Sequence, residues 1–167
     1  VEKKDEKHMK SYLVLMPFFM EYEKSICNEF KKRYEVTLYD NEKDLYEIDK
    51  YIQDRFWLRV LRQFFLYIKK LDVFYEHMEN KFADKNLDIL LRKKYDEILC
   101  INGHLLADKV YRSLKENNPD TKMRLYLWDD AKILRKNTHF KYFDEVMSFN
   151  MDECKKYGFK YMPMFTQ

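Results

Sequence analysis

The chain has 167 residues, of which 46% are hydrophobic, 37% are charged and 17% are aromatic, and its net charge is +3. This composition excludes a disordered chain, and the length is sufficient for one domain with a self-supporting core. Only two glycines and three prolines occur, although tight hairpins and phosphate-cradling loops need glycine. We therefore predict an all-α fold, a single helical-bundle domain over residues 1–167, rather than an all-β or nucleotide-binding fold.

Positive charge is spread along the chain rather than collected on one stretch, because 32 basic residues alternate with 29 acidic ones. A dedicated nucleic-acid-binding domain usually carries a one-sided basic surface. We interpret the short basic clusters as solvated helix faces. The alternative hypothesis is a helical RNA-binding protein. It would use the basic residues Lys31, Lys32, Arg33, Arg92, Lys93 and Lys94.

Cysteine usage indicates reduced thiols, because Cys27, Cys100 and Cys154 are odd in number and widely spaced. The longest apolar run, Tyr12 to Met20, is too short to span a bilayer. Because the sequence begins at Val1 rather than Met, we expect it to be an expressed fragment or a processed product.

The first third of the chain predicts one helix and a connection. Residues 1–7 are polar after Val1, and we expect them to be frayed. A first helix is predicted from Lys7 to Tyr34, kinked or split by Pro17. The stretch from Tyr34 to Asn41 favours a β-leaning connection, and Asp40 or Asn41 is the expected cap of the next helix.

The strongest pattern is an apolar seam whose spacing alternates between four and three residues. It consists of Trp57, Leu61, Phe64, Ile68, Leu71, Tyr75, Met78 and Phe82. This spacing is typical of a coiled-coil-like helix. We predict one central helix from about Asn41 to Ala83 whose apolar side is hidden by companion helices, with a break near Asp72 as the alternative.

Three more helices complete the predicted bundle, from Leu87 to Glu116, from Pro119 to Lys136 and from Asn137 to Gly158. Gly103 inside the first of these costs about 1 kcal/mol relative to alanine, unless it permits close packing of a bulky neighbour. Gly158 is the expected left-handed residue at the end of the last helix. The apolar tail, residues 159–167, either docks back on the bundle or is exposed as a contact segment.

Catalytic chemistry is not indicated by any residue cluster. Glu97, Cys100 and His104 have the spacing of ligands on one helix face, but no second helix offers a matching pair. The acidic pairs Asp129–Asp130 and Asp152–Glu153 are interpreted as solvated faces. We expect no metal, no cofactor and no catalytic residue, so the protein is predicted not to be an enzyme.

Aromatic residues exceed what a thin bundle core needs, with 14 tyrosines and 13 phenylalanines. Exposed tyrosine brings a large contact area at low entropic cost. We therefore predict that most aromatics are in the core and that a minority forms a patch for a partner protein.

The stretch Asp44–Ile52 resembles the short erythrocyte-cytoskeleton-binding motif of exported malarial proteins, through the pattern Leu-Tyr-x-Ile-x-x-Tyr-Ile. The abundance of Lys, Asn, Tyr and Phe resembles that of proteins from AT-rich parasite genomes. An all-helical domain of this size is similar to the Plasmodium helical interspersed subtelomeric (PHIST, RESA N-terminal-like) family.

The resemblance implies a non-catalytic protein–protein interaction module that binds a host membrane-skeleton protein or the cytoplasmic tail of a surface adhesin. It implies export to the host-cell cytoplasm or membrane periphery, with the parasite cytoplasm as the alternative. The partner-binding residues that it implies are Leu45, Tyr46, Ile48, Tyr51 and Ile52.

Overall fold

A computed structural model of the chain, describing residues 9–19, 21–103, 106–131 and 137–164, has a parallel sheet of six strands with helices between them. The strands are β1 (Ser11–Met16), β2 (Glu35–Asp40), β3 (Glu97–Ile101), β4 (Lys122–Leu127), β5 (Glu145–Ser148) and β6 (Lys160–Tyr161). They lie in the order β2-β1-β3-β4-β5-β6, and every neighbouring pair is parallel. The predicted all-α bundle is therefore wrong, and the fold is mixed α/β.

Helical segments connect consecutive strands. They are α1 (Tyr22–Lys31), α2 (Lys43–Gln53), α3 (Phe56–Tyr67), α4 (Leu71–Leu90), α5 (Asp108–Asn117) and α6 (Met151–Tyr157), with a short 3-10 helix at Asn137–Tyr142. Among the described parts of the crossovers, only the one from β2 to β3 has three helices in succession. Two parallel strands need a connection of a dozen or more residues to cross from the end of one to the start of the next. In this chain the connections contain helices.

Strands β1, β3, β4 and β5 are predicted as helices because their sequences are mostly continuous apolar runs. Residues 12–16 in β1 and most of β4 are buried. A parallel strand covered on both faces reads as such a run and cannot be distinguished from a helical core segment by periodicity. Each of the predicted helices 7–34, 87–116, 119–136 and 137–158 therefore contains a strand.

The two faces of the sheet have separate cores. Tyr12, Val14 and Met16 of β1 point to the first face, where α1 packs with Ile26 and Phe30. On the second face, α4, α5 and the 3-10 helix cover the other side of the sheet. The fully buried strand residues there include Leu13, Leu15, Ile98, Cys100, Met123, Leu125 and Leu127.

The predicted central helix is instead the three helices α2, α3 and α4, which share a small core of their own. The buried residues of this core are Ile48, Ile52, Leu58, Phe74 and Met78. The chain turns between α3 and α4 at Lys69, which has a left-handed φ of 55°. As a result only the second half of the predicted seam packs inward, while Trp57, Leu61, Phe64 and Ile68 are exposed. The expectation that the whole seam is hidden is wrong.

Two predictions from short local patterns are confirmed. The β-leaning stretch Tyr34–Asn41 contains β2, and Gly158 has a φ of 73° at the end of α6, as predicted. The predicted cap of α2 is wrong, because Glu42 precedes α2 and no side chain caps the first turn. Asn41 donates to Ile101 instead, and Asp40 Oδ1 accepts from the backbone N–H of Glu42, ahead of the helix. In the tail, Phe159 packs against Phe140, so its described part docks on the fold. Residues 1–7, predicted as frayed, lie outside the described residues.

Among the helices that the structure describes, none combines the length and the apolar character needed to cross a bilayer.

Candidate functional site

The order of the strands in the sheet reverses between β1 and β3. From β1 the chain crosses through α1 to β2 on one side, whereas β3, β4, β5 and β6 follow on the other side. The segments leaving β1 and β3 therefore turn to opposite faces, toward α1 and α5. In parallel α/β sheets this reversal opens a crevice at the carboxyl ends of the strands, and ligands bind there. The residues around this position form the candidate site.

Asn41 lies where the strand order reverses, between the ends of β1 and β3. It follows β2, and its backbone N–H donates to the carbonyl of Met16 at the end of β1. Its side-chain Nδ2 donates over 3.0 Å to the carbonyl of Ile101 at the end of β3. The side chain is fully buried, and no described residue donates to its Oδ1. Asn41 thus links three strands across the point where the sheet order reverses.

Asn102 lies directly after β3 in the left-handed region, with φ 51°. Its Oδ1 accepts from the backbone N–H of Trp128 at 2.8 Å, and its Nδ2 donates to Asp129 Oδ2 at 2.7 Å. Glu21, at the entrance to α1, is also left-handed with φ 64°. Such conformations cost about 1–3 kcal/mol in non-glycine residues and concentrate at functional sites.

Carboxylates and amides continue along the edge after β4 and β5. Asn150 Nδ2 donates to Asp130 Oδ1 at 2.8 Å, while Asn150 Oδ1 accepts from the first backbone N–H groups of α6. Glu153 is buried, and its two oxygens accept from the backbone N–H of Ala131 and the hydroxyl of Ser148. The interpretation of Glu153 as part of a solvated face is therefore wrong. The exposed Asp129 and the half-buried Asp130 remain within reach of a ligand at the edge.

Aromatic side chains border the crevice. Phe18 and Phe19, in the segment that leaves β1, are 44% and 57% exposed. Trp128, in the segment that leaves β4, is half-buried and packs edge-on against Tyr22 of α1 and Tyr126 of β4. The edge therefore offers ring surfaces beside hydrogen-bonding groups.

Behind the crevice, Gly103 is held by buried side chains. Its carbonyl accepts from the Tyr111 hydroxyl at 2.6 Å and lies 3.0 Å from His139 Nδ1. Burial raises the pKa of the neighbouring Cys100 thiol to about 12, and burial raises the pKa of Tyr111 well above its usual value. Both groups are protonated at neutral pH. Cys100 is thus a buried thiol of the core.

The predicted partner-binding residues do not form one surface. Ile48 and Ile52 are buried in the core between α2, α3 and α4, and Leu45 and Tyr51 are half-buried. Only Tyr46 is well exposed, at 72%. The apolar half of the motif thus holds α2 in place. Its role in partner binding stays a prediction.

The basic residues of the RNA-binding alternative lie in two places that already use part of their charge. In α1 and after it, Lys32 pairs with Glu29, while Lys31 and Arg33 are exposed. Between α4 and β3, Lys93 pairs with Glu35 and Lys94 donates to Asn117, whereas Arg92 donates to the carbonyl of Asp88. Part of each cluster is thus linked to local acceptors, and RNA binding stays a prediction.

The spacing of Glu97, Cys100 and His104 has a different meaning on a strand. Glu97 lines the groove on the first face, while Cys100 is in the core of the second face. Adjacent strand positions point to opposite faces, so residues three apart diverge. His104 lies outside the described residues. Among the residues whose placement is known, no group of three or more side chains is positioned to hold a metal ion.

A groove of about 630 Å³ crosses the first face of the sheet beside α1. Arg124 of β4 spans its floor, with Nη1 on Glu97 of β3 and Nε 3.1 Å from Glu145 Oε2 of β5. Lys160 of β6 extends this row of charges, 3.1 Å from Glu145 Oε1. These ion pairs join adjacent strands, so the charged side chains of the groove help to hold the sheet together.

The carboxyl edge carried a signal that helical periodicity concealed. Three apolar runs end in an aromatic or aliphatic residue followed by Asn or Asp, at Ile101–Asn102, Trp128–Asp129 and Phe149–Asn150. In a parallel sheet such residues converge on one edge. Because these runs were assigned to helices, their polar ends appeared unrelated.

No protein-family model matches the chain, and no curated protein matches it with significance. The helical bundle implied by the resemblance to the Plasmodium family is wrong, because the sheet is parallel and central. The malarial origin, the export and the absence of catalysis stay predictions.

Proposed function

We propose that the protein binds a small uncharged ligand, a hydroxylated ring, at the carboxyl edge of the sheet between β1 and β3. The observation that carries this proposal is the reversal of strand order at that point, with buried Asn41 and left-handed Asn102 beside it. Parallel sheets bind ligands at such positions because the diverging connections leave a crevice there.

The polar groups at the edge favour an uncharged ligand that donates hydrogen bonds. The segments after the strands supply the side-chain oxygens and amides of Asn102, Asp129, Asp130 and Asn150. The described segments 17–19, 41–42, 102–103, 128–131 and 149–150 contain no Lys or Arg. Carboxylates accept hydrogen bonds from hydroxyl groups and repel phosphate. A neutral polyol therefore fits this edge better than a phosphorylated ligand.

The aromatic residues favour a ring. Ligand sites combine apolar and aromatic surface with a few polar groups that fix orientation. Phe18 and Phe19, in the segment after β1, supply exposed aromatic surface. A sugar or the ribose and base of a nucleoside presents both a ring face and hydroxyl donors.

Saturation-transfer NMR with D-glucose, D-galactose, uridine and adenosine tests the proposal, with inorganic phosphate as the competitor. We expect transfer to at least one of these probes, unaffected by phosphate. The signal should fall about tenfold in Asp129→Ala and in the double variant Phe18→Ala/Phe19→Ala, since each removes about 1–2 kcal/mol of contact. Asp54→Ala, an exposed carboxylate between α2 and α3, is the matched control and should bind like the wild type.

Transfer to none of the four probes by the folded wild-type protein would contradict the proposal. Equal transfer in the wild type and in folded Asp129→Ala and Phe18→Ala/Phe19→Ala variants would place binding elsewhere and contradict it too. Competition by phosphate would exclude the neutral ligand. Circular dichroism of each variant shows whether the fold is retained.

An interaction function is a second candidate, and one observation favours it. Helix α3 exposes a large set of apolar side chains, including Phe56 at 72% and Tyr67 at 85%. Exposed apolar surface of this extent marks sites where a protein attaches to something else. This surface lies on the α2–α3–α4 crossover, and its function does not depend on ligand binding at the carboxyl edge.

A further inference from the structure

Helix α3 packs on the molecule with one side only. Leu58 is buried against α2 and α4, and Phe65 is half-buried in the same core, 5.7 Å from the ring of Phe74 between centroids. Both lie on one side of the helix, because they are seven residues apart. The opposite side of α3 therefore points to solvent.

That opposite side is apolar. It consists of Phe56, Trp57, Val60, Phe64, Tyr67 and Ile68, which we call the apolar face of α3. All six side chains are exposed, from 38% to 85%. At about 100° per residue they fall within an arc of about 120°. A surface helix normally turns such an arc toward the core, so here it is presented outward.

Charge around the apolar face has one sign. From Arg55 to Lys70 there are five basic residues and no acidic residue, with Asp54 and Asp72 just outside. The basic residues are Arg55, Arg59, Arg62, Lys69 and Lys70. Within the described part of the chain, none of the five forms an ion pair with a carboxylate. Arg55 stacks instead on the Tyr51 ring at 3.6 Å, and Arg59 lies 5.8 Å from the Phe56 ring centroid.

We propose that the apolar face of α3 lies on the surface of an anionic lipid bilayer. A Trp- and Phe-rich helix face flanked by Lys and Arg is the pattern of helices that lie in the membrane interface. The apolar side chains enter the boundary between headgroups and acyl chains, and the basic side chains that border them, such as Arg59 beside Phe56, reach the lipid phosphates. This inference rests on the second candidate function and is independent of ligand binding at the carboxyl edge.

The basic residues along the α3 segment favour an anionic bilayer as the occupant. The six side chains stand on a single convex helix of about 18 Å, too short to span a bilayer and suited to lie along its plane. The positive charge of this segment complements an anionic lipid surface. Each Lys or Arg close to an anionic bilayer adds about a factor of five to binding.

Sedimentation of the full chain with vesicles tests this assignment. We compare phosphatidylcholine vesicles with vesicles that also contain phosphatidylglycerol, at low and at physiological salt. We expect binding to the anionic vesicles only, weakened by salt. In the wild type, lipids brominated on their acyl chains should quench tryptophan fluorescence, and Trp57→Phe should lose most of that quenching.

Two pairs of variants separate the apolar and the electrostatic contributions. Phe56→Ser/Phe64→Ser should reduce partitioning by at least tenfold, whereas the control Ile89→Ser/Met151→Ser, exposed apolar residues on α4 and α6, should not. Arg59→Gln/Lys69→Gln/Lys70→Gln should reduce it by about a hundredfold. The control Lys31→Gln/Lys32→Gln/Arg92→Gln removes the same charge elsewhere and should reduce it by less than tenfold.

Absence of binding to the anionic vesicles at low salt would overturn the proposal. Equal losses in the test and control variants would overturn it as well, because binding would then be unspecific electrostatics. If vesicles do not bind but sedimentation velocity shows dimers that Phe56→Ser/Phe64→Ser abolishes, α3 joins two copies of the chain. The interaction function would then stand while the lipid assignment fails.

Discussion

The Tyr39 hydroxyl donates a hydrogen bond to Asp44 Oδ1 over 3.1 Å, where β2 meets the first turn of α2. Asn86 of α4 donates to the other carboxylate oxygen, so Asp44 joins the sheet to the crossover helices. Burial raises the pKa of Asp44 to about 6, and the Tyr39 hydrogen bond opposes that shift. The carboxyl group is therefore half-protonated near pH 6, well above its usual range.

This raised pKa predicts that the fold loses stability as pH rises. Between about pH 4 and pH 6 the folded state holds a proton that the unfolded chain has released, so the contribution of Asp44 is most favourable below pH 4. The loss across this window is about 2 kcal/mol, after allowance for partial solvent access. Asp44→Asn should remove this dependence. Urea unfolding of both proteins from pH 4 to pH 7.5 measures it.

The control for this prediction is Asp54→Asn, which changes an exposed carboxyl group at the end of α2. Its unfolding free energy should follow the wild-type pH profile. If Asp44→Asn and the wild type have parallel profiles, the proton is not bound at Asp44.

Gly103 should not tolerate a methyl group. A Cβ at this position would lie 2.9 Å from Leu125 Cδ1, 3.2 Å from Cys100 Sγ and 3.3 Å from Tyr111 Oη. All three side chains are almost fully buried. Overpacking of this kind costs about 1–3 kcal/mol. We expect Gly103→Ala to lower the free energy of unfolding by that amount in chemical denaturation.

A double-mutant cycle distinguishes this clash from a general backbone effect. Leu125→Val removes the methyl group nearest to the new Cβ, so Gly103→Ala should cost at least about 0.5 kcal/mol less in that background. An equal cost in both backgrounds would rule out the contact with Leu125 as the cause.

The parts of the fold that were predictable are those encoded locally. Gly158 and the stretch around β2 depend on neighbouring residues, and both were correct. The sheet depends on pairing between distant residues; Ser11 Oγ, for example, lies 3.2 Å from Asp96 Oδ2, 85 positions away. A single periodicity does not show such pairs, so the apolar runs were assigned to helices.

For the candidate sites too, local patterns were predictable and contacts between distant residues were not. The seam from Trp57 was correctly recognised as helical and amphipathic, but its first half is exposed because the chain reverses at Lys69. The polar residues Asn102 and Asp129 are 27 positions apart and meet only because β3 and β4 are neighbours. Their proximity follows from the parallel register, which the sequence pattern did not reveal.

Asn102 should be more sensitive to alanine than to glycine. Both substitutions remove the hydrogen bonds to the Trp128 N–H and to Asp129. Glycine adopts a φ of 51° without strain, whereas alanine does not. We expect Asn102→Ala to be about 1 kcal/mol less stable than Asn102→Gly in thermal or urea unfolding. Equal stability of the two variants would mean that the left-handed conformation is not imposed by the fold.

Arg124 should not be replaceable by lysine. Its guanidinium group reaches Glu97 on one neighbouring strand and Glu145 on the other, and the side chain is three-quarters buried. Lysine is a point donor without the planar fork, so it holds one carboxylate at a time. We expect Arg124→Lys to lower the free energy of unfolding by about 1 kcal/mol, with a smaller loss at high salt because Glu97 and Glu145 then repel each other less.

Arg92→Lys, an exposed arginine, is the matched control and should change stability by less than about 0.5 kcal/mol. Similar effects of the two substitutions in urea unfolding would show that the bridge between β3 and β5 adds nothing to the stability of the sheet.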